Sequence, residues 1–298
     1  MENKITFNIT KEDEGMKIKE FLKLKNNFSS RFCRASALAK NIFANNKVIK
    51  LNYVLKAGDV IEVKLNKEES QDIEPENIPL KVAYEDSDII VLNKPPFIVV
   101  HPTKNYPYGT LANGLLYYFK EKGENCIVRL VSRLDMNTSG LIIVAKNQFS
   151  HMSLQRDMNK EEFKKQYLAI VHGKMEADFG TIDLPIYKEE DEPIKRIIDD
   201  RGQRSITHYK VIETYSNAQL LKLTLETGRT HQIRVHLSHL GCPIFGDSLY
   251  GELEDQYIKR QALHAFSLSF PHPRDGRIIN IEAELPADMS ELLEKLRG

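Results

Sequence analysis

Hydrophobic positions change period twice within the first sixty-five residues. Residues 5–9 alternate apolar and polar, as a short half-buried strand does. In residues 16–24, Ile18, Phe21 and Leu22 fall at helical spacing. A second helix is predicted over residues 30–43, with Phe32, Ala35, Leu38, Ala39 and Ile42 as its buried stripe. Arg31 and Arg34, three apart, then share one exposed face. The run VIKLNYVLKAGDVIEVKL returns to short strands, with Gly58-Asp59 turning between two of them. After it, KEESQDIEPENIPLK is acidic, polar and carries two prolines. It offers too little apolar surface to fold alone and reads as a linker.

A second region begins near Val82. Ile89, Ile90, Val91 and Leu92 read as a buried strand stopped by Pro95-Pro96. Further strands are predicted over 140–145, 167–171 and 219–226. The last alternates cleanly, with Leu221, Leu223 and Leu225 inward and Lys222, Thr224 and Glu226 outward. Helices are predicted over 112–122, 148–160 and 231–240. Regular strand-then-helix repeats are absent, so the fold class expected is α+β, with a mixed, mostly antiparallel sheet and helices packed on it. The domain division expected is 1–66, a linker at 67–81, and 82–298.

Formal net charge is zero over 298 residues, which by itself does not suggest a nucleic-acid partner. The distribution changes that picture. Residues 1–66 hold thirteen Lys and Arg against seven Asp and Glu, whereas residues 67–80 carry a net negative charge of about four. A basic N-terminal region therefore sits beside an acidic connector, and local charge is what a phosphate backbone meets. Cys33, Cys126 and Cys242 are widely spaced, without a CxxC pair, so neither structural zinc nor a disulfide framework is expected. Neither a signal-peptide core nor a run of about 20 apolar residues is present, and a cytoplasmic protein is expected.

Several segments can carry chemistry. In VSRLDMNTSGLIIVAKN, Asp135 sits in a loop before an apolar strand, with Arg133 two residues away. Taken alone, such an aspartate is more often an Asx-turn former or an N-cap than a catalyst. In TGRTHQIRVHLSHLGCPIFGDSLYG, Gly228-Arg229-Thr230 turns the chain into a helix whose apolar stripe is Ile233, Leu237 and Leu240. Arg229 and Arg234 lie at its start, able to meet phosphate or carboxylate. His231, His236 and His239 fit no common zinc spacing. Tyr167 opens the strand of QYLAIVHG, where a tyrosine is commonly core or sheet surface. NKPPFIVVHPTK and RQALHAFSLSFPHP mix apolar runs with His and Pro, as wall-forming loops do.

The ordered set YEDSDIIVLNKPPFIVVHP, SRLDMNTSGLIIVAKN, QYLAIVHG, ETGRTHQIRVHLSHLGCPIFGDSLYG and LHAFSLSFPHP resembles the RluA-type RNA pseudouridine synthases, in particular their RluD-like members. The N-terminal region, through its basic second helix and VLKAGDVIEVKL, resembles the S4-like RNA-binding domain. The resemblance implies a cofactor-free isomerase acting on uridines of ribosomal or transfer RNA, with RNA as partner and a monomer expected. Large-subunit ribosomal RNA is the first expectation, because the appended domain resembles a ribosomal one. Asp135 matches the family's essential aspartate, Arg234 its arginine partner, and Tyr167 the tyrosine that stacks on uracil and takes the last ring-carbon proton. Leu263 matches an apolar wall of the base pocket. Arg133 would help displace or hold the flipped nucleotide, and Arg229, Arg31 and Arg34 are expected to bind the RNA substrate. Ser132 stands where the family pattern most often has His. Two other classes stay open on sequence: a non-catalytic RNA-binding or ribosome-assembly protein, and a glycosidase. The second usually needs two carboxylates, whereas the motifs supply one.

Overall fold

The computed structural model describes residues 4–26, 28–65, 71–192, 194–251 and 257–298. In the N-terminal part, β1 (Lys4–Asn8), β2 (Ile42–Ala44), β3 (Lys47–Val48) and β4 (Val60–Lys64) form an antiparallel sheet in the order β1-β4-β2-β3. A short helix α1 (Ile18–Glu20), continuing as a π-helical turn over Phe21–Lys25, packs with α2 (Ser30–Leu38) around a core of its own, including Ile18, Leu22, Phe32, Ile42, Ile61 and Val63. The α2 helix begins at Ser29, whose hydroxyl accepts from the Phe32 amide, a normal N-cap.

That helix ends five residues sooner than its apolar spacing predicts. Lys40 adopts a left-handed backbone with φ of 55°, and Ile42 and Phe43 then belong to a strand. The buried face is Phe32, Cys33 and Ser36, while Leu38, expected inside, is 86% exposed. Arg31 and Arg34 are exposed as expected.

The larger part is built on a ten-stranded sheet. Its path runs β10 (Phe179–Asp183), β13 (Ile206–Thr214), β14 (Ala218–Leu225), β9 (Lys164–His172), β15 (Leu263–Pro271), β8 (Ser139–Ala145), β6 (Ile89–Lys94) and β5 (Val82–Glu85). Strand β16 (Ile278–Glu282) adds to β15, and β7 (Arg129–Leu130) to β8. A separate hairpin pairs β11 (Ile186–Tyr187) with β12 (Ile197–Ile198). All pairs are antiparallel except β15 with β8, so the sheet is mixed and mostly antiparallel, as expected. Helices α3 (Leu111–Glu121), α4 (Gln148–Asp157), α5 (Gln232–His239) and α6 (Ala287–Arg297) accompany it. One face buries Leu92, Leu115, Ile142, Leu223, Leu237 and Leu292 in a single core; Ile89, Val91, Ile143 and Phe270 form a second cluster on the other. Burial on both faces explains why β6 and β8 are uninterrupted apolar runs.

The parallel junction depends on Gly140. Its φ is +110°, and a Cβ there would lie 2.2 Å from the Ala265 carbonyl oxygen, so only glycine lets β8 approach β15 this closely. The described part of the acidic segment, 71–81, lies along α3: Asn113 Nδ2 donates to the Glu74 carbonyl at 2.7 Å, and Ile73 and Leu80 pack on the core. Residues 67–70 of the expected linker, like Asn66 before them, lie outside the described residues. The two cores touch through α4, where Phe149 meets Phe28 with ring centroids 4.8 Å apart, and through Arg274, which donates to the Lys4 carbonyl. Among the described residues no helix is long and apolar enough to cross a membrane.

Candidate active site

Four elements converge beside the parallel junction. The β7–β8 loop presents Asp135; β9 presents Tyr167; the start of β15 presents Leu263; α5 presents Arg234. Tyr167 pairs with Ala265 and Leu263 with Ala169 across β9 and β15, which sets both side chains on one face. Together with Arg133 and Arg229 these residues line one cavity of about 350 Å³, the size of a small-molecule site. Six of the eight residues expected from sequence thus meet in one place. Arg31 and Arg34 do not line it; they lie on α2 in the N-terminal part.

The electrostatic centre is a row of three side chains. Arg234, 7% exposed, donates through Nη1 to Asp135 Oδ2 at 3.0 Å. Its Nε and Nη2 donate to the two oxygens of Asp247, both at 2.7 Å. Asp247 is fully buried and also accepts from the amides of Leu249 and Tyr250. Burial alone would lower the Arg234 pKa, but the Asp247 hydrogen bonds and the charges of Asp247 and Asp135 outweigh it and hold the pKa above its ordinary value. The planar fork of Arg234 is thereby fixed from behind, leaving Nη1 to aim Asp135 into the cavity.

His231 completes the surround. It starts α5 in a left-handed conformation, φ 59°, without a side-chain cap of its own. The Arg196 amide donates to the Tyr250 hydroxyl oxygen at 2.8 Å, and that hydroxyl is hydrogen-bonded to His231 Nδ1 at 2.9 Å. The remaining Nε2 faces Asp135 Oδ2 at 3.8 Å. Burial holds the His231 pKa below its ordinary value, partly opposed by the Asp135 charge, so the ring is neutral at pH 7. The turn before α5 is fastened by Gln232, whose Oε1 accepts from the Arg229 amide and whose Nε2 donates to the Ile206 carbonyl and Thr207 Oγ1.

Tyr167 is 9% exposed, and burial, then the Asp135 charge, push its pKa well above the ordinary value. Its hydroxyl makes no hydrogen bond among the described residues and remains a neutral phenol at the cavity wall. Behind Asp135, Lys94 is fully buried and donates to the carbonyls of Pro95, Ile98 and Met136 at 2.9, 3.1 and 2.8 Å. It ties the turn that follows β6, from Pro95 to Ile98, to the residue after Asp135. Burial, reinforced by the Arg260 charge, pulls the Lys94 pKa down to about 7. Arg260, 1% exposed, donates to both oxygens of Asp288 on α6 and to the Asn137 carbonyl, bracing the same loop.

Lys94, His231, Asp247, Tyr250 and Arg260 have no site role that sequence reveals. Asp247 lies in the quoted GDSLYG segment, but nothing in a linear pattern signals that a residue thirteen positions away receives its carboxylate. Among the histidines, His236 is buried and bonded to Thr207 Oγ1 and the Leu184 carbonyl; it is structural. Leu240, expected in the apolar stripe, is 44% exposed, and Val235 is buried in α5. A group with ligand-like spacing, Asp86, Asp88 and His272, lies elsewhere; there the Arg274 guanidinium holds both oxygens of Asp88 and supplies the positive charge.

A family model described as RNA pseudouridylate synthase matches residues 88–239, which include Asp135, Tyr167 and Arg234. The chain is 38% identical to an uncharacterized RNA pseudouridine synthase of Bacillus subtilis, YlyB, over 99% of both proteins. It is 40% identical to ribosomal large subunit pseudouridine synthase D of Haemophilus influenzae, covering 81% of this chain and 78% of that one. Among solved structures, human RNA pseudouridylate synthase domain containing 4 superposes with a TM-score of 0.61 at 25% identity, covering 73% of this chain and 93% of the human one. The chain belongs to the RNA pseudouridylate synthase family, enzymes that convert uridine in RNA to pseudouridine.

Proposed function

We propose that this enzyme isomerises particular uridines of large-subunit ribosomal RNA, with Asp135 as its catalytic carboxylate. The observation that carries the reading is the row Asp135–Arg234–Asp247 at the wall of a cavity that also holds Tyr167 and Leu263. The reaction breaks the bond from ribose C1′ to uracil N1 and forms one from C1′ to C5. The C5 proton leaves and N1 regains one, so nothing is oxidised and no co-substrate is consumed. Asp135 serves either by attacking C1′ or by removing the proton at C2′; both uses need a carboxylate aimed at the sugar. Arg234 aims it, and Asp247 holds Arg234.

The target base has to leave its stack, at a few kcal/mol. Arg133 and Arg229 at the cavity mouth would hold the flipped nucleotide, and backbone contacts elsewhere would offset the cost. Tyr167 and Leu263 would enclose the free uracil while it turns. The raised Tyr167 pKa favours the stacking half of its expected role over the proton-accepting half. The N-terminal part, 1–66, would act as an RNA-binding domain, gripping phosphates through Arg31 and Arg34 on the exposed face of α2. The relative from Haemophilus influenzae, named for the large ribosomal subunit, supports that choice of RNA.

The test is to incubate unmodified large-subunit rRNA and transfer RNA with the protein, label pseudouridine with carbodiimide and map stops by primer extension. New stops in large-subunit rRNA are expected. Stops confined to transfer RNA would overturn the substrate assignment and leave the chemistry standing.

A further inference from the structure

Among the described residues five Lys and Arg side chains are buried: Lys94, Lys146, Lys165, Arg234 and Arg260. Four are satisfied. Lys94 donates to three carbonyls, Lys146 pairs with Glu85 and Glu124, Arg234 with Asp247, and Arg260 with Asp288. Lys165 is 6% exposed, yet its Nζ makes no hydrogen bond and no ion pair among the described residues; it stands 5.9 Å from the centre of the Phe163 ring. Burial pulls its pKa below the ordinary lysine value, with no nearby carboxylate opposing the shift. The stem of Lys165 is buried while its ammonium opens on the cavity it lines, with no protein counter-charge beside it. Such a group makes sense where a ligand supplies the anion.

Its place indicates which anion. Lys165 and Tyr167 are two apart on β9 and line the same cavity. Across that cavity lies Gly228, where an added Cβ would be 3.7 Å from Lys165 Nζ. Gly228 and Arg229 also line a neighbouring cavity that includes Lys188, Arg196 and Arg201. Gly228 and Arg229 thus stand between the base pocket and a groove rich in cations, with Lys165 on the inner side. A nucleotide seated against Tyr167 has to carry its phosphodiester chain out over some edge of the pocket. At Gly228 the edge adds no side chain of its own, while Lys165 and Arg229 offer positive charge.

We propose that Lys165 is a substrate-binding residue that holds a phosphate of the flipped nucleotide, whose backbone leaves the cavity over Gly228. This rests on reading the cavity as the uridine site. The experiment uses an RNA hairpin spanning a uridine that the wild-type protein converts. Each phosphate flanking that uridine is replaced in turn by an uncharged methylphosphonate, and affinities are measured for wild type, Lys165→Met and Lys165→Arg. One replacement should weaken wild-type binding about tenfold, as removal of a charge-assisted hydrogen bond does. The same replacement should weaken Lys165→Met less than about twofold, because the partner is already gone. Lys165→Arg should restore the sensitivity. Lys165→Met should melt no lower than wild type, since it removes a partly desolvated charge that has no protein partner. Equal penalties in wild type and Lys165→Met at both phosphates would overturn the proposal. So would a Lys165→Met protein that binds the unmodified hairpin as wild type does but converts it more slowly, which would assign the ammonium to the base. Conversion of the hairpin by the wild-type protein checks the underlying reading separately.

Discussion

At the scale of single residues, direction matters more than the mere presence of a carboxylate. Asp135 has one strong partner, Arg234, and Arg234 has its other two donors committed to a buried aspartate. Replacing Asp247 by Asn keeps its shape but sets an amide N–H against a guanidinium N–H. We expect Asp247→Asn to lose about 3 kcal/mol of stability, as broken buried pairs do, measured by urea denaturation. Turnover should fall about a hundredfold through misdirection of Asp135, with RNA affinity nearly unchanged. An unchanged turnover would mean that Arg234 needs no support. Asp135, Arg234 and Tyr167 are legible in sequence because their motifs occur in order. Lys94, Arg260 and Asp247 are not, because a charge in a linear pattern reads as solvated, whereas these three are 0–1% exposed inside the fold.

At the scale of elements, β14 is legible through its alternation, and β6 and β8 through their unbroken apolar runs. The strands β10 and β13 carry no comparable signal, whereas the last helix, α6, absent from the predicted elements, does: Met289, Leu292, Leu293 and Leu296 fall at helical spacing. In β13 the lower half of the pattern, from Tyr209 to Thr214, is only half-buried or exposed, so the apolar signal fades along the strand. The end of α2 is hidden in sequence because its stop is Lys40 in a left-handed conformation, with no glycine to mark it. Gly140 offers the element-scale test. Gly140→Ala would put a Cβ into the Ala265 carbonyl and should cost upwards of about 3 kcal/mol by overpacking and strain. Gly123→Ala, at a positive φ of 67° with open space around it, should cost only about 1 kcal/mol. Thermal melts of both variants check this; similar destabilisation would mean that the β8–β15 approach can relax.

At the scale of the molecule, a neutral chain is compatible with an RNA substrate because its charge is segregated. The N-terminal part has its own core and meets the larger part through Phe28 on Phe149. Its exposed Arg31 and Arg34 lie outside the catalytic cavity. Replacing both by Ala should weaken RNA binding and reduce the slope of log affinity against log salt by about two, one for each phosphate no longer neutralised. The turnover rate at saturating RNA should stay within about twofold. A salt slope equal to that of wild type would remove this helix from the RNA interface.

The central claim is that Asp135 performs the chemistry and does not merely help bind RNA. Formation of pseudouridine expels the hydrogen at C5, so tritium release from RNA made with [5-³H]uridine reports the reaction itself. Wild-type protein should release tritium from the target site in proportion to pseudouridine formed. Asp135→Asn, equal in size and still able to accept from Arg234, should bind the same RNA with comparable affinity and release tritium at least about a thousandfold more slowly. Release by Asp135→Asn at close to the wild-type rate would contradict the account and pass the catalytic role to another group in the cavity.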